Sequence, residues 1–221
     1  MENVNIYNLI ILDESGSMQS IRREALSGLN ETIQTIRSAQ CANEGQRHFV
    51  TIVVFEGDGP KGVRTLCDRM PVDGVKEFTA EDYVPGGCTP LYDAMGLSIN
   101  HLSKVTLNDD AVLVTIITDG MENASREYSG RDIKDLVSAQ REKGWTFAYI
   151  GANQDAVEVA RELNIRNAMN FDATPEGTHK MMDKLSRATD TYFSMITPCR
   201  MVSDSSNFFG NSSKSGRGRR K

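Results

Sequence analysis

Short, nearly unbroken apolar runs alternate along the chain with stretches in which apolar residues recur every three or four positions. Residues 6–12 form the first run, as expected of a strand buried on both faces. Ile21, Ala25, Leu29, Ile33 and Ile36 then share one helical face, predicting a helix to about residue 40. Residues 48–55 predict a second strand, and Gly57-Asp58-Gly59-Pro60 a turn. Residues 63–70 alternate less cleanly and read as an edge strand entered by a hairpin. Residues 74–88 read as a loop with room for a short helix, and Pro90 suits the first turn of a helix running to about Lys104. Residues 111–118 are the most apolar run and belong at the centre of a sheet. Ile133, Leu136 and Val137 mark a helix that stops near Gly144, and residues 145–150 another strand. Ala156, Val157, Ala160 and Leu163 share a helical face, and residues 168–171 form a short last strand. Thr174-Pro175-Glu176 opens a final helix whose apolar face is Met181, Leu185, Ala188, Tyr192 and Met195.

Strands alternating with helices predict an α/β fold. The expected architecture is a Rossmann-like, doubly wound, mostly parallel six-stranded sheet with helices on both faces and one antiparallel edge strand. In such sheets ligands bind at the carboxyl ends of the strands, near the switch in strand order. Function is therefore sought in the residues after Leu12 and after Thr118. From Ser203 the chain becomes rich in Ser, Asn and Gly, and then basic. Residues 1–200 are accordingly read as one domain and 201–221 as a flexible tail, dispensable for folding. Phe208-Phe209 interrupts that tail and suits docking on the domain or on a partner.

Composition narrows the function classes. At 221 residues the chain can bury a core as one domain, and its 39% hydrophobic and 25% charged residues are ordinary for a globular protein. No run nears the roughly 18 apolar residues of a membrane span. Met1-Glu2-Asn3 leads straight into a strand-like run with none of the segments of a secretory leader, and a cytoplasmic protein is expected. Cys41, Cys67, Cys88 and Cys199 are scattered and form no C-x-x-C pair, against zinc or a redox dithiol. The net charge is −5, but five of the 25 basic residues (Lys214, Arg217, Arg219, Arg220 and Lys221) crowd the C-terminus. The remaining 20 bases face 30 acids, and an acidic body argues against nucleic acid as the domain's main partner.

Three separated segments concentrate oxygen-bearing side chains, the first and third where strands are predicted to end and the second in a loop that need only cross the same edge. They are Asp13-Glu14-Ser15-Gly16-Ser17, Gly86-Gly87-Cys88-Thr89-Pro90 and Thr118-Asp119-Gly120. Singly, each has an ordinary reading: Asp13 and Ser17 as helix caps, Ser15 and Thr89 as surface hydroxyls, Asp119 as part of a turn. Together, over about residues 5–195, they resemble the von Willebrand factor A family, which includes the integrin I domains. The resemblance rests on D-x-S-x-S at Asp13, Ser15 and Ser17, a Thr in a separate loop at Thr89, and an Asp ending the central strand at Asp119. It implies a metal-ion-dependent adhesion site in which these five residues hold one Mg²⁺ or Mn²⁺. Some of the carboxylates would act through water.

The residue types suit that role. Mg²⁺ prefers near-octahedral oxygen ligands and keeps several waters, and hydroxyls coordinate it without quenching its charge. Two carboxylates and three hydroxyls leave the ion electrophilic, so the resemblance implies a protein partner that contributes an Asp or Glu. Intracellular relatives act as adaptors, some with AAA+ ATPases and some in tellurite- and stress-response systems. Glu14 and Glu122, beside the ligands, are candidates for tuning the field or touching partners. His48, His101 and His179 fall in different elements without metal-ligand spacing. The rival reading is a metal-dependent phosphohydrolase of the haloacid dehalogenase type. Its D-x-D is broken by Ser15, and the chain has neither a phosphate-binding P-loop nor a G-x-S-x-G elbow, so no catalytic residue is assigned.

Overall fold

The apolar runs become six strands and the periodic stretches five helices among the residues described, 3–57, 62–152, 156–197 and 207–210, in a computed structural model of the chain. The order is β1 (Val4–Asp13), α1 (Arg22–Ala42), β2 (Gln46–Phe55), β3 (Val63–Pro71), α2 (Leu91–Ser103), β4 (Ala111–Thr118), α3 (Gly130–Glu142), β5 (Thr146–Ala152), α4 (Ala156–Glu162), β6 (Asn167–Phe171) and α5 (Pro175–Ser194). A 3₁₀ turn, Gly16–Ile21, leads into α1. The strands form one sheet in the order β3-β2-β1-β4-β5-β6. All pairs are parallel except β2 with β3, as the edge-strand reading of residues 63–70 anticipates.

Strand alternation decides which helices cover which face. Ile6, Ile10 and Leu12 of β1 join the core beneath α1 and α5, while Leu9 and Ile11 join the core beneath α2, α3 and α4. On the first face α1 and α5 approach closely because Gly28 has no side chain. A Cβ there would lie 2.3 Å from Met182 Cγ.

The chain runs from β1 outward to β2 and β3, then returns through α2 to β4 on the other side of β1. Strand order therefore reverses between β1 and β4, which puts the open crevice at their carboxyl ends. Leu12 pairs with Ile117, so Asp13 and the residue after Thr118 emerge at nearly the same level.

Two local readings that the sequence leaves open find their outcome. Residues 74–88 hold no α-helix: a 3₁₀ turn spans Val72–Gly74, and Asp82 closes a turn by accepting from the Thr79 amide at 2.7 Å. Residues 207–210 lie against the domain. Phe208 is 4% exposed, its amide donates to Asn167 Oδ1 at 3.0 Å, and its ring meets Tyr192 edge-on at 5.8 Å. Lys184 Nζ sits 5.8 Å from the centre of the Phe209 ring. Residues 211–221 with the basic run, residues 58–60 of the expected turn, and Cys199 lie outside the described residues. No helix among the described residues is long and apolar enough to cross a membrane.

The seat of Phe208 generates a prediction. Phe208→Ala, or a chain ending at Val202, should lower the unfolding free energy by about 3 kcal/mol in urea titrations, the cost of emptying a buried aromatic site. Unchanged stability in both variants would mean that this segment contributes nothing to the body.

Candidate metal centre

Asp13 ends β1 fully buried, and neighbouring donors hold its carboxylate in place. Oδ1 accepts from the Ser15 amide at 2.7 Å and Oδ2 from the Thr118 hydroxyl at 2.6 Å. The turn that follows brings Ser15 Oγ within 3.1 Å of Ser17 Oγ, and Ser17 Oγ donates to Asp119 Oδ1 at 2.5 Å. Thr89 reaches the same place from its own loop. A Cβ built on Gly120 would lie 3.0 Å from Thr89 Oγ1 and 3.5 Å from Ser17 Oγ. The five oxygen-bearing side chains picked out in the sequence thus come together across the carboxyl ends of β1 and β4.

Backbone bonds tie the three loops into one unit. Gly16 donates to Gly87 O at 3.1 Å and Gly86 to Glu14 O at 2.8 Å. Gly57 and Cys88 exchange two amide bonds of 2.7 and 2.8 Å. Gly87 permits that exchange: its φ is +66°, and a Cβ on it would fall 1.8 Å from Gly57 O. Asn123 bonds the Thr89 backbone twice, accepting from its amide at 2.8 Å and donating its own amide to Thr89 O at 3.2 Å.

Several residues to which the sequence assigns no role build this edge. Thr118 carries the bond to Asp13, and Tyr83, fully buried in the loop before Thr89, donates its hydroxyl to Asp13 O at 2.6 Å. Burial, with the charges of Asp13, Glu14 and Asp119, holds that phenol well above its usual pKa, so it acts as a donor. The available signal was chemical: a buried strand-end carboxylate needs donors, and Thr118 and Asn123 lie within four residues of Asp119.

Glu14 and Glu122, candidates for field tuning or partner contact, have their carboxylates engaged within the domain. Glu14 is fully buried and takes a two-pronged ion pair from Arg64, at 2.7 Å on Oε1 and 3.2 Å on Oε2. Glu122 accepts from the amides of Tyr92, Ala124 and Ser125 and from the Ser125 hydroxyl, at 2.7–2.9 Å. Both acids fasten loops.

The electrostatics suit a cation. Burial raises the Asp13 carboxyl from 3.8 to about 6, the bonds from Thr118 and Ser15 pull it down, and the charge of Asp119 pushes it up. Asp119 is also raised, chiefly by burial, against the Ser17 bond. No cationic side chain among the described residues enters either balance. Among the described residues no three His, Cys, Asp or Glu side chains group so as to hold a metal. A cation at this edge would therefore meet two carboxylates and three hydroxyls, a hard-oxygen donor set suited to Mg²⁺ or Mn²⁺.

No protein-family model and no curated protein matches the chain. Solved structures do. A von Willebrand factor type A protein from Catenulispora acidiphila superposes with a TM-score of 0.59 at 14% identity, over 85% of this chain and 43% of that one. The pilus adhesin SpaC from Lactobacillus rhamnosus GG gives 0.63 at 12% identity, over 87% and 31%. The vWF domain of the type V pili tip protein Mfa5 from Porphyromonas gingivalis gives 0.56 at 10% identity, over 86% and 97%. The chain thus spans less than half the length of the first two. At these identities the likeness establishes the fold, and the fold is that of von Willebrand factor A domains.

The raised Asp13 pKa has a consequence for the metal-free protein. Below pH 3.8 Asp13 is protonated in both folded and unfolded chains. Between 3.8 and about 6 the folded chain holds a proton that the unfolded chain has released, so stability falls as pH rises through this window. Above it, the buried charge costs about 3 kcal/mol. In EDTA at pH 7.5, Asp13→Asn should therefore raise the unfolding free energy, by up to that amount, and the gain should shrink toward pH 4. The Thr118 hydroxyl can turn to accept from the new amide. Equal stability of the two proteins across this range would show that the Asp13 charge carries no burial cost.

Proposed function

We propose that this domain is a metal-ion-dependent protein-binding module in which Asp13, Ser15, Ser17, Thr89 and Asp119 hold one Mg²⁺ or Mn²⁺. The observation that carries the reading is the convergence of these five side chains around two buried carboxylates that no described cationic side chain offsets. A divalent cation would supply the missing positive charge. Three of the five donors are neutral, so the ion would keep most of its charge and attract a further anionic ligand. An Asp or Glu from a partner protein is that ligand.

No catalytic step is assigned. Position 15 is a serine where the D-x-D hydrolases need their acid/base, and its hydroxyl faces Ser17 within the cluster. The setting we favour is an adaptor in the cytoplasm. SpaC and Mfa5 are named as a pilus adhesin and a pilus tip protein. A cell-surface role is therefore the other setting this fold serves.

Titration calorimetry with Mn²⁺ should show one ion bound by the wild type and none by Asp13→Ala, which should stay folded because the sheet does not depend on this side chain. Equal binding by both proteins would sink the assignment, and Mg²⁺-dependent turnover lost in Asp13→Ala would establish an enzyme instead.

Partner capture gives a second test. EDTA should abolish it. Raising the salt from 0.05 to about 0.5 M should weaken it only moderately, because the attraction is local to the ion and short against the Debye length. Thr89→Ala should lower partner affinity more than stability. Capture that survives EDTA, and survives replacement of every interface acid on the partner, would place recognition on another face.

A further inference from the structure

We infer that Asn123 is a positioning residue that locks Thr89 to the Asp119 loop, so that these two donors form one rigid half of the site. The inference rests on the metal-binding reading above and adds how that site is held ready.

The geometry is reciprocal. Asn123 Oδ1 accepts from the Thr89 amide at 2.8 Å, and the Asn123 backbone N–H donates to Thr89 O at 3.2 Å. Both polar groups of the Thr89 backbone are thus committed to one residue, four positions after Asp119. The Asn123 backbone is itself fixed on either side. Upstream, Gly120 N–H donates to Thr118 Oγ1 at 3.2 Å, and that same hydroxyl holds Asp13. Downstream, Glu122 gathers the amides of Ala124 and Ser125 together with that of Tyr92 on α2. Asp93 of α2 then takes the amides of Arg126, Glu127 and Tyr128 at 2.8–2.9 Å.

Asn123 is exposed, so it adds nothing to the core. Its contribution is orientation. With the Thr89 backbone held at both polar atoms, Thr89 Oγ1 stays on the Gly120 side, 3.0 Å from where a Gly120 Cβ would stand. Groups that orient metal ligands in this way change metal affinity without touching the ion. Without the side-chain bond, the Thr89 loop would keep the backbone bond from Asn123 and its tethers through Gly57 and Gly16, but the Thr89 amide would lose the acceptor that fixes its orientation.

The test is a double-mutant cycle on the full-length protein, with Mn²⁺ alone as the probe and the melting temperature in EDTA as the measure of folding. Asn123→Ala should weaken Mn²⁺ binding about tenfold. Asn123→Ser, whose side chain is too short to reach the Thr89 amide, should do the same. Asn123→Asp keeps the acceptor and should restore binding to at least the wild-type level. In a Thr89→Ala background, Asn123→Ala should cause no further loss, because its effect runs through Thr89. Wild-type affinity in Asn123→Ala and Asn123→Ser would overturn the inference. So would an equal loss with and without Thr89, or an Asn123→Asp protein as weak as Asn123→Ala. A wild type that binds no Mn²⁺ at all removes the metal reading itself, a result distinct from any of these.

Discussion

Two like charges kept out of water govern the functional edge of this molecule. Asp13 and Asp119 follow neighbouring parallel strands, β1 and β4, whose register brings their ends to the same level. Asp13 is fully buried and Asp119 nearly so, at 4% exposure. Repulsion between carboxylates is strong where the dielectric is low, and each must also replace its lost hydration. The nearby hydroxyls and amides of Ser15, Ser17 and Thr118 meet part of that cost as dipoles. The nearby guanidinium of Arg64 is committed to Glu14. On the proposed metal reading, a divalent cation would offset the residual imbalance.

Holding such an edge together requires loops that behave as part of the body. The long connection from β3 to α2 carries Thr89, and α1 binds it along its length. Arg22 donates to Tyr83 O and Ala80 O, Asn30 exchanges two bonds with Phe78, and Arg37 donates to Val72 O and Val75 O. These polar residues border the face through which Ala25, Leu29, Ile33 and Ile36 pack on the sheet. Backbone groups of the loop that would otherwise need water are satisfied by α1. Tyr83 is buried beneath and supports Asp13 from the same loop. The helix that starts just after the D-x-S-x-S segment therefore also fixes the segment bearing Thr89.

Much of this was legible in the chain because it follows from periodicity. The strands and helices show as apolar runs and helical spacings, and their order implies the sheet and its crevice. The five oxygen-bearing residues were legible because Asp13, Ser15, Ser17 and Asp119 sit at strand ends and Thr89 completes the pattern of the family the chain resembles. The supporting residues were not, because their roles depend on partners far away in sequence. Tyr83 serves Asp13 across 70 residues, and Asn123 serves Thr89 across 34. A lone tyrosine or asparagine in a loop carries no periodic signal. Where Phe208 docks was hidden for a related reason: two aromatics in a polar stretch stand out without naming their seat, and the notch they fill exists only once β6 and α5 are in place. The short helix allowed for in residues 74–88 gave way because Asn30, Arg22 and Arg37 offer that backbone partners in an extended path.

The fate of the neighbouring acids bears on what this edge can receive. The chain is acidic, and Glu14, Glu122 and Asp93 all lie within a few residues of the candidate ligands. Left pointing outward, they would repel an approaching carboxylate. Glu14 is instead buried against Arg64, Glu122 gathers three amides and a hydroxyl, and Asp93 takes three more amides. Backbone N–H dipoles offset each charge locally while the side chain fastens a loop. The residues left exposed around the cluster include Ser17, Gln19, Gly87, Met121 and Asn123, none of them charged. On the metal reading, an acidic partner would then meet the ion across a nearly neutral rim. The same hydrogen bonds that make the loops rigid also clear negative charge from the approach, so that positioning and recognition rest on one set of contacts.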